Sequence, residues 1–459
     1  MEELKKNHVF RAVIDGYTSG GLGVARLNGR AVFVEGAARG DDCLLRLVKI
    51  PASGPLYARI ETLETASPVR QPDGCSIAGR CGGCDFQHIQ YGEELKLKEE
   101  RVRDALTRIA KIDLVPERIM SAPGVSGYRN KALFPVRMAE GRPSTGFFRA
   151  RSHMMMPAET CAIQNGMANA CAAALRGWMA RYKIPAYDEQ TGGGLVRHLF
   201  VRTGASTGQV LCALAVTRPK LPQGPALIQA LREACPGLVG VVLDLNTRRD
   251  NVILTGRQRT LWGQDWMEDI LCGLRFRLSV MSFYQVNPAQ AERLYEKAQE
   301  MAGLTSRETV LELYCGAGTL SLCLARAAAK VIGVDIVQKA VADARGNAER
   351  NGIENAEFRL ADAGQAAEVL AEEGVRPDVL VVDPPRKGLD ETVVGALKTL
   401  VPARMVYISC DPATLARDLA RLRDVGYQAD RCAPVDMFPR TAHVETVVLL
   451  SKLKSATSI

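Results

Sequence analysis

Long apolar runs are missing from this sequence: no stretch of its 459 residues approaches the roughly 18 consecutive apolar positions of a membrane-spanning helix, so no membrane role is expected. The opening MEELKKNHVF lacks the apolar core of a signal peptide, which points to a cytoplasmic protein. Neither an internal repeat nor a low-complexity segment is present. Charge of one sign is only slightly in excess, 59 Lys and Arg against 51 Asp and Glu, giving a net +8 that is compatible with a polyanionic partner without requiring one.

What is present is the composition of a soluble globular chain, 47% hydrophobic and 24% charged, with a length that implies about two to four domains. Thirteen cysteines in a cytosolic chain argue against a disulfide framework, because that compartment keeps thiols reduced. Cys212, Cys272 and Cys323, within apolar runs, read as small core residues. Between Tyr128 and His153 stand six basic residues (Arg129, Lys131, Arg137, Arg142, Arg149, Arg151) against one acid, Glu140, with Tyr128, Phe134, Phe147 and Phe148 interleaved. Cations for phosphates and rings for unstacked bases suit single-stranded RNA, with Arg129 and Lys131 as leading contacts; a solvated strand face with its core aromatics is the alternative.

Residues 1 to about 60 alternate apolar positions between glycine turns, which predicts a small five-stranded barrel. Their G-x-G-V-A-R, G-R-x-V-F-V and G-D pattern resembles the TRAM domain, an OB-like RNA-binding module. A central region, 61–280, begins with an irregular cysteine-bearing stretch and a helix over about 91–112 that is a candidate to pack on the last domain. It continues as an antiparallel α+β region with one helix near 165–182. From 281 to 459 strands and helices alternate, which predicts a doubly wound, mostly parallel sheet. The fold class is therefore multidomain α/β.

Val310 to Thr319, VLELYCGAGT, is an apolar strand running into a glycine turn and a helix. Gly316 and Gly318 let the backbone approach a ligand where open α/β sheets bind cofactors, with Tyr314 and Thr319 beside them. The second strand ends in Asp335, placed for ribose hydroxyls, and the third in Asp362, placed for an adenine amine. An NAD-binding unit shares the first acid, but the third glycine of its fingerprint is absent and the fourth strand ends in Asp383-Pro-Pro-Arg386. A strand-end Asp-Pro-Pro is what S-adenosylmethionine methyltransferases acting on bases use to grip the edge of a flipped base.

Tyr407-Ile-Ser-Cys410-Asp-Pro places a thiol at the end of the fifth strand, where the adjacent helix N-terminus is expected to favour an exposed thiolate. YISCDPATLARDL, DPPRKGL, VDMFPRTAHVETVVLL and Phe283-x-Gln285-x-Asn287, four ordered motifs, together resemble the RNA uracil-5-methyltransferase family, a match that covers essentially the whole chain once the TRAM-like barrel is included. The resemblance implies S-adenosylmethionine as cofactor, Cys410 as the nucleophile that adds to carbon 6 of uracil, and Glu445 as the base that removes the carbon 5 proton. It further implies Asp383 on the uracil imide, Phe283 stacked on the base, and Gln285 and Tyr314 along the methionine side of the cofactor; Arg386 and Lys387 are candidates for a phosphate or the enolate oxygen.

Cys75-x5-Cys81-x2-Cys84 with the distant Cys161 can enclose either a 4Fe-4S cluster or a structural zinc, and spacing does not choose between them. The resemblance to the 23S ribosomal-RNA branch of the family implies the 4Fe-4S cluster, in a structural or RNA-folding role. The expected partner is RNA, 23S ribosomal RNA or a precursor, bound by a monomer. A transfer-RNA uridine-5 methyltransferase and a non-catalytic RNA-binding protein are the rival readings, and a cytosine-5 enzyme is disfavoured because Asp-Ala-Pro-Cys does not follow the fourth strand.

Overall fold

The structure, a computed structural model, describes residues 4–150 and 152–453; Arg151 of the basic run lies outside the described residues. Strands β1 (Val9–Val13), β2 (Gly16–Tyr17), β3 (Gly23–Leu27), β4 (Arg30–Val34), β5 (Asp42–Lys49) and β6 (Leu56–Thr65) form one sheet in the order β1-β5-β6-β4-β3-β2. Alternate positions turn inward, so Ala25, Val32, Val34, Cys43, Leu45 and Leu47 make a core with Ile14 and Leu56. The Asp15 amide donates to the Val24 carbonyl at 2.9 Å, curling the sheet toward a barrel. Six strands stand where five were expected, because β2 forms a short pair with β3.

Helix α1 (Tyr91–Asp104) continues through a π-helical turn at Ala105–Ala110. Its apolar face, Val102, Leu106 and Ala110, shares a core with Leu415, Leu419 and Leu422 some 300 residues later in sequence. Next come β7 (Lys131–Ala139), β8 (Arg142–Phe148), β9 (Met155–Pro157), α2 (Gly166–Arg181), β10 (Val196–Thr203), β11 (Val210–Val216), α3 (Gly224–Ala234), β12 (Leu238–Leu245) and β13 (Gln258–Gly263). They build a seven-stranded sheet in the order β13-β12-β11-β10-β7-β8-β9. The expected all-antiparallel pattern fails at one pair: β12 lies parallel to β11, because α3 between them makes a crossover rather than a hairpin.

The hairpin β14 (Trp266–Leu271) and β15 (Leu274–Ser279) turns at Cys272-Gly273, both with positive φ. Met267, Leu271, Phe276 and Leu278 pack in the same core as Val310 and Leu320, and the side chains of Asn347 and Asn351 accept from the Arg277 and Arg275 amides at 2.9 Å. The hairpin packs with the last domain and with the central sheet together: Phe200, Leu211 and Val242 share its core, and the Ala205 and Ser206 amides donate to Asp269 at 3.1 and 2.9 Å.

That domain comprises α4 (Pro288–Ala302), β16 (Thr309–Leu313), α5 (Thr319–Ala325), β17 (Lys330–Asp335), α6 (Gln338–Arg350), β18 (Ala356–Leu360), α7 (Ala363–Glu372), β19 (Val379–Val382), α8 (Glu391–Leu400), β20 (Arg404–Ser409), α9 (Pro412–Asp424), β21 (Tyr427–Val435) and β22 (Glu445–Lys452). The sheet order is β18-β17-β16-β19-β20-β22-β21, parallel except that β22 runs antiparallel to both neighbours. Strand positions alternate between two cores: Val310, Val331, Val379 and Val406 face α4, α5 and α6, whereas Leu311, Ile332, Leu380 and Met405 face α1, α7, α8 and α9. Burial on both faces explains why these strands read as continuous apolar runs.

Candidate active site

A doubly wound sheet gathers the carboxyl ends of its parallel strands along one edge, and the sequence puts its reactive groups there. Tyr314 and Gly316 follow β16, Asp335 ends β17, Asp383 follows β19 and Cys410 follows β20. Glu445 reaches the same edge from the opposite direction, because β22 is antiparallel and pairs Thr446 with Ser409, which sets Glu445 next to Cys410. Phe283 and Gln285 arrive on the segment between β15 and α4. That segment is fixed from below: Asn130 Nδ2 donates to the Gln285 carbonyl at 2.9 Å, and the fully buried Arg202 donates to the Ser282 carbonyl at 2.6 Å.

Tyr314, Gly316, Asp335, Asp383, Cys410, Glu445, Phe283 and Gln285 all line a single cavity of about 740 Å³. Its walls carry the carboxyl groups of Asp335, Asp343, Asp383 and Glu445 together with the cations Lys339 and Arg386. Asp383 accepts no hydrogen bond among the described residues, and burial pushes its carboxyl up to about 7. Glu445 is 5% exposed and is pushed up to about 8 by burial and then by the charge of Asp383, with Arg386 opposing. Behind them Glu312, hydrogen-bonded by the Ser321 hydroxyl, is also pushed up by burial, to about 8. Buried carboxyls held near neutrality at a crevice are suited to accepting and returning protons.

The thiol is not the exposed thiolate that the sequence suggested. Cys410 is half-buried, and burial, then the charges of Glu445 and Asp383, push it up to about 11, against Arg386. The helix N-terminus that was expected to lower it is already occupied: the Asp411 carboxylate caps α9, accepting from the Ala413 and Thr414 amides at 3.0 and 2.9 Å.

Other expected positions divide. Phe283 is 61% exposed on the cavity wall, and Tyr314, held at φ +69°, keeps a buried hydroxyl with no hydrogen-bond partner among the described residues. Gly316 donates to Asp335 Oδ2 at 2.9 Å, which clips the glycine turn to the second strand. Gly318 and Thr319 lie behind the wall. A Cβ on Gly318 would stand 2.9 Å from the Phe358 ring, and Thr319 shares a hydrogen bond of 2.9 Å with the Tyr295 hydroxyl. Asp362, expected at an adenine amine, is instead the N-cap of α7, accepting from the Gly364 and Gln365 amides, and is not on the cavity wall. Lys387 turns away to Asp390 at 3.1 Å. Wall residues that the sequence did not single out include Lys339, Asp343, Phe438 and His443, although the last two stand in the quoted VDMFPRTAHVETVVLL run. Arg386 Nη2 lies 3.4 Å from His443 Nε2, and burial lowers that imidazole, so the neutral ring accepts from the guanidinium.

The four cysteines Cys75, Cys81, Cys84 and Cys161 line a second cavity of about 260 Å³. Among the described residues, however, no group of three or more His, Cys, Asp or Glu side chains is gathered as a metal-holding set. Arg129 and Lys131 line this cavity too, which corrects their expected place on an open phosphate-binding face. Burial, then Arg202 and Arg129, bring Lys131 down to about 8, and Arg129 Nε is buried without a hydrogen-bond partner among the described residues. The neighbouring aromatics are also committed inward: Phe134 is buried with its ring centroid 5.4 Å from that of Phe147, and Tyr128 donates to the Pro439 carbonyl at 2.9 Å. Among the described residues no helix is long and apolar enough to cross a membrane.

Sheet order, glycine turn and strand-end acids define a doubly wound fold of the cofactor-binding class with a thiol and two near-neutral carboxyls in its crevice. The tRNA (uracil-5-)-methyltransferase family profile matches residues 251–453. An uncharacterized RNA methyltransferase of Clostridium acetobutylicum is 38% identical over 453 residues, 98% of either chain, and an uncharacterized RNA methyltransferase of Halalkalibacterium halodurans is 40% identical over 450 residues, 97% of this chain and 98% of its own. The Pyrococcus abyssi tRNA (uracil-54, C5)-methyltransferase, solved with S-adenosyl-L-homocysteine, superposes with a TM-score of 0.78 at 26% identity, covering 96% of this chain and 100% of its own. The chain belongs to the RNA uracil-5-methyltransferase family, whose methyl donor is S-adenosylmethionine.

Proposed function

We propose that the protein methylates carbon 5 of a uridine in 23S ribosomal RNA, with Cys410 as nucleophile and Glu445 as the base that ends the reaction. The observation that carries this reading is the convergence of Cys410, Glu445, Asp383 and Phe283 on one cavity with the glycine turn and Asp335. Bound S-adenosylmethionine supplies an electrophilic methyl group; Asp335, Gly316, Tyr314 and Gln285 are the residues that would hold it. Phe283 stacks on the flipped uracil while Asp383 accepts from its imide N–H, which excludes cytosine. The Cys410 thiol gives up its proton to a cavity carboxylate, and its sulfur adds to carbon 6, which makes carbon 5 nucleophilic. Once carbon 5 carries the methyl group, Glu445 takes the carbon 5 hydrogen as a proton and the sulfur–carbon bond breaks, restoring the double bond. Without prior addition, carbon 5 of uracil is too weak a nucleophile.

The ribosomal substrate rests on the combination of the N-terminal curled sheet, read as a TRAM domain over residues 1–60, with the four-cysteine cavity of the central region, 61–280. Two observations support the 4Fe-4S reading, although among the described residues the four thiols are not gathered as a metal-holding set: Cys75, Cys81, Cys84 and Cys161 share one cavity, and Arg129 and Lys131 line it with them, so that an anionic cluster would balance their charge. A transfer-RNA substrate is the second reading, favoured by the substrate named for the Pyrococcus enzyme. Incubating the purified protein with radiolabelled S-adenosylmethionine and either unmodified 23S ribosomal RNA or a transfer-RNA pool decides between them. Label in 5-methyluridine of the ribosomal RNA is expected; label only in transfer RNA overturns the substrate, and label in neither overturns the enzyme reading.

A further inference from the structure

The segment that delivers Glu445 is held from far outside its own domain. Between β21 and β22, residues Asp436 to His443 find their main anchors in the cysteine-bearing stretch and in α1. The Asp85 and Phe86 amides both donate to the Arg440 carbonyl, at 2.9 and 3.1 Å, and the Arg440 amide donates to Glu94 at 2.7 Å. Arg440 itself sits at φ +71°, a conformation that a side-chain-bearing residue keeps only when its surroundings impose it. The fully buried Lys98 donates to Asp436 at 2.6 Å and to the Phe438 carbonyl at 3.2 Å.

Two side chains then close on one peptide residue. The Ala442 amide donates to Asp85 Oδ2 at 2.8 Å, and the Ala442 carbonyl accepts from Arg101 Nη1 at 2.6 Å. Arg101 Nη2 also reaches Asp411 at 3.2 Å, the residue after Cys410. Ala442 immediately precedes His443 and lies three residues before Glu445, so both of its backbone polar groups are fixed just upstream of the proposed base. Asp85 in turn directly follows Cys84.

We infer that Asp85 and Arg101 are positioning residues for Glu445: they clamp the Ala442 backbone, and through Asp85 the cysteine-bearing segment sets the geometry of proton removal rather than that of methyl transfer. The inference rests on the reading of Glu445 as the terminal base. Its consequence is a defect confined to the last step. Misplacement of a reacting group by about 1 Å can slow its step by a factor of about 100, so a partial loss of the clamp is expected to slow release of methylated RNA about tenfold.

The test uses the full-length protein in single-turnover reactions with labelled S-adenosylmethionine and RNA, following label transfer and the lifetime of the covalent protein–RNA complex separately. Asp85→Ala is expected to prolong that complex about tenfold while changing label transfer by less than about threefold. Asp85→Asn keeps an oxygen for the Ala442 amide and is expected to restore release. Should Asp85→Ala unfold early in a thermal scan, Asp85→Ser removes the same carboxylate contact without touching Asp411 and carries the same expected split. Equal slowing of both steps, unchanged release, or no rescue by Asp85→Asn overturns the inference. Glu445→Gln, run alongside, separates the two claims: if it releases RNA at the normal rate, the role of Glu445 fails, whereas if it traps RNA and the clamp variants do not, only the clamp fails.

Discussion

Glu445 should make the protein less stable as the solution becomes alkaline, and Glu445→Gln should remove that liability. The folded chain holds the Glu445 proton to about 8, pushed there by burial and by Asp383, while the unfolded chain releases it near the ordinary 4.5. A group raised in the fold contributes stability that is complete below its unfolded value and is lost as the pH climbs through its folded value, so the window here runs from 4.5 to about 8. At about 1.4 kcal/mol per pH unit the full span would be worth several kcal/mol, and relaxation with water entry reduces it to about 2 kcal/mol. For a domain of this size that corresponds to roughly 4–8 °C in the melting midpoint. The assay is thermal unfolding of both proteins at pH 5 and pH 9: the Glu445→Gln midpoint should gain on the unmodified protein by several degrees between the two. A gap that does not change with pH would refute the buried, near-neutral carboxyl on which the proton-removal step depends.

Alkylation of Cys410, followed by peptide mass spectrometry, should rise with a midpoint near pH 11; Glu445→Gln should move that midpoint down and Arg386→Gln should move it up, since these are the charges that raise and lower the thiol. Anaerobically purified protein should be brown with about four irons per chain, and the colour should be lost on replacing Cys84 or Cys161 by Ser; stoichiometric zinc in a colourless solution would reject the cluster.

The reactive groups were legible because a parallel sheet exposes strand ends in a fixed way: a motif at the end of an apolar run has only one edge on which to appear, and Asp335, Asp383 and Cys410 appear there. Glu445 was legible only through the family resemblance, since nothing in HVET says that its strand runs backwards beside β20. Roles that depend on which atom takes a given hydrogen bond were not legible. Asp362 and Asp411 both sit at strand ends, yet each spends its carboxylate capping a helix, which displaces the first from the cavity and removes the helix N-terminus from Cys410. Arg129 and Lys131 looked like a phosphate face because a basic run carries no sign of direction; pairing of β7 with β10 turns Lys131 toward Arg202 and the cysteine cavity. The parallel register of β11 and β12 was hidden for a similar reason, as a short helix between two apolar strands reads the same whether or not the chain crosses over.

The central claim, that Cys410 opens the reaction and Glu445 closes it, is tested most directly by mixing each variant with labelled S-adenosylmethionine and substrate RNA and resolving the products under denaturing conditions. Cys410→Ala should bind the cofactor yet transfer no label, and Glu445→Gln should accumulate a slow-migrating, label-bearing covalent complex of protein and methylated RNA. Full methyl transfer by the Cys410 variant, or normal turnover without a trapped complex in the Glu445 variant, would contradict the account.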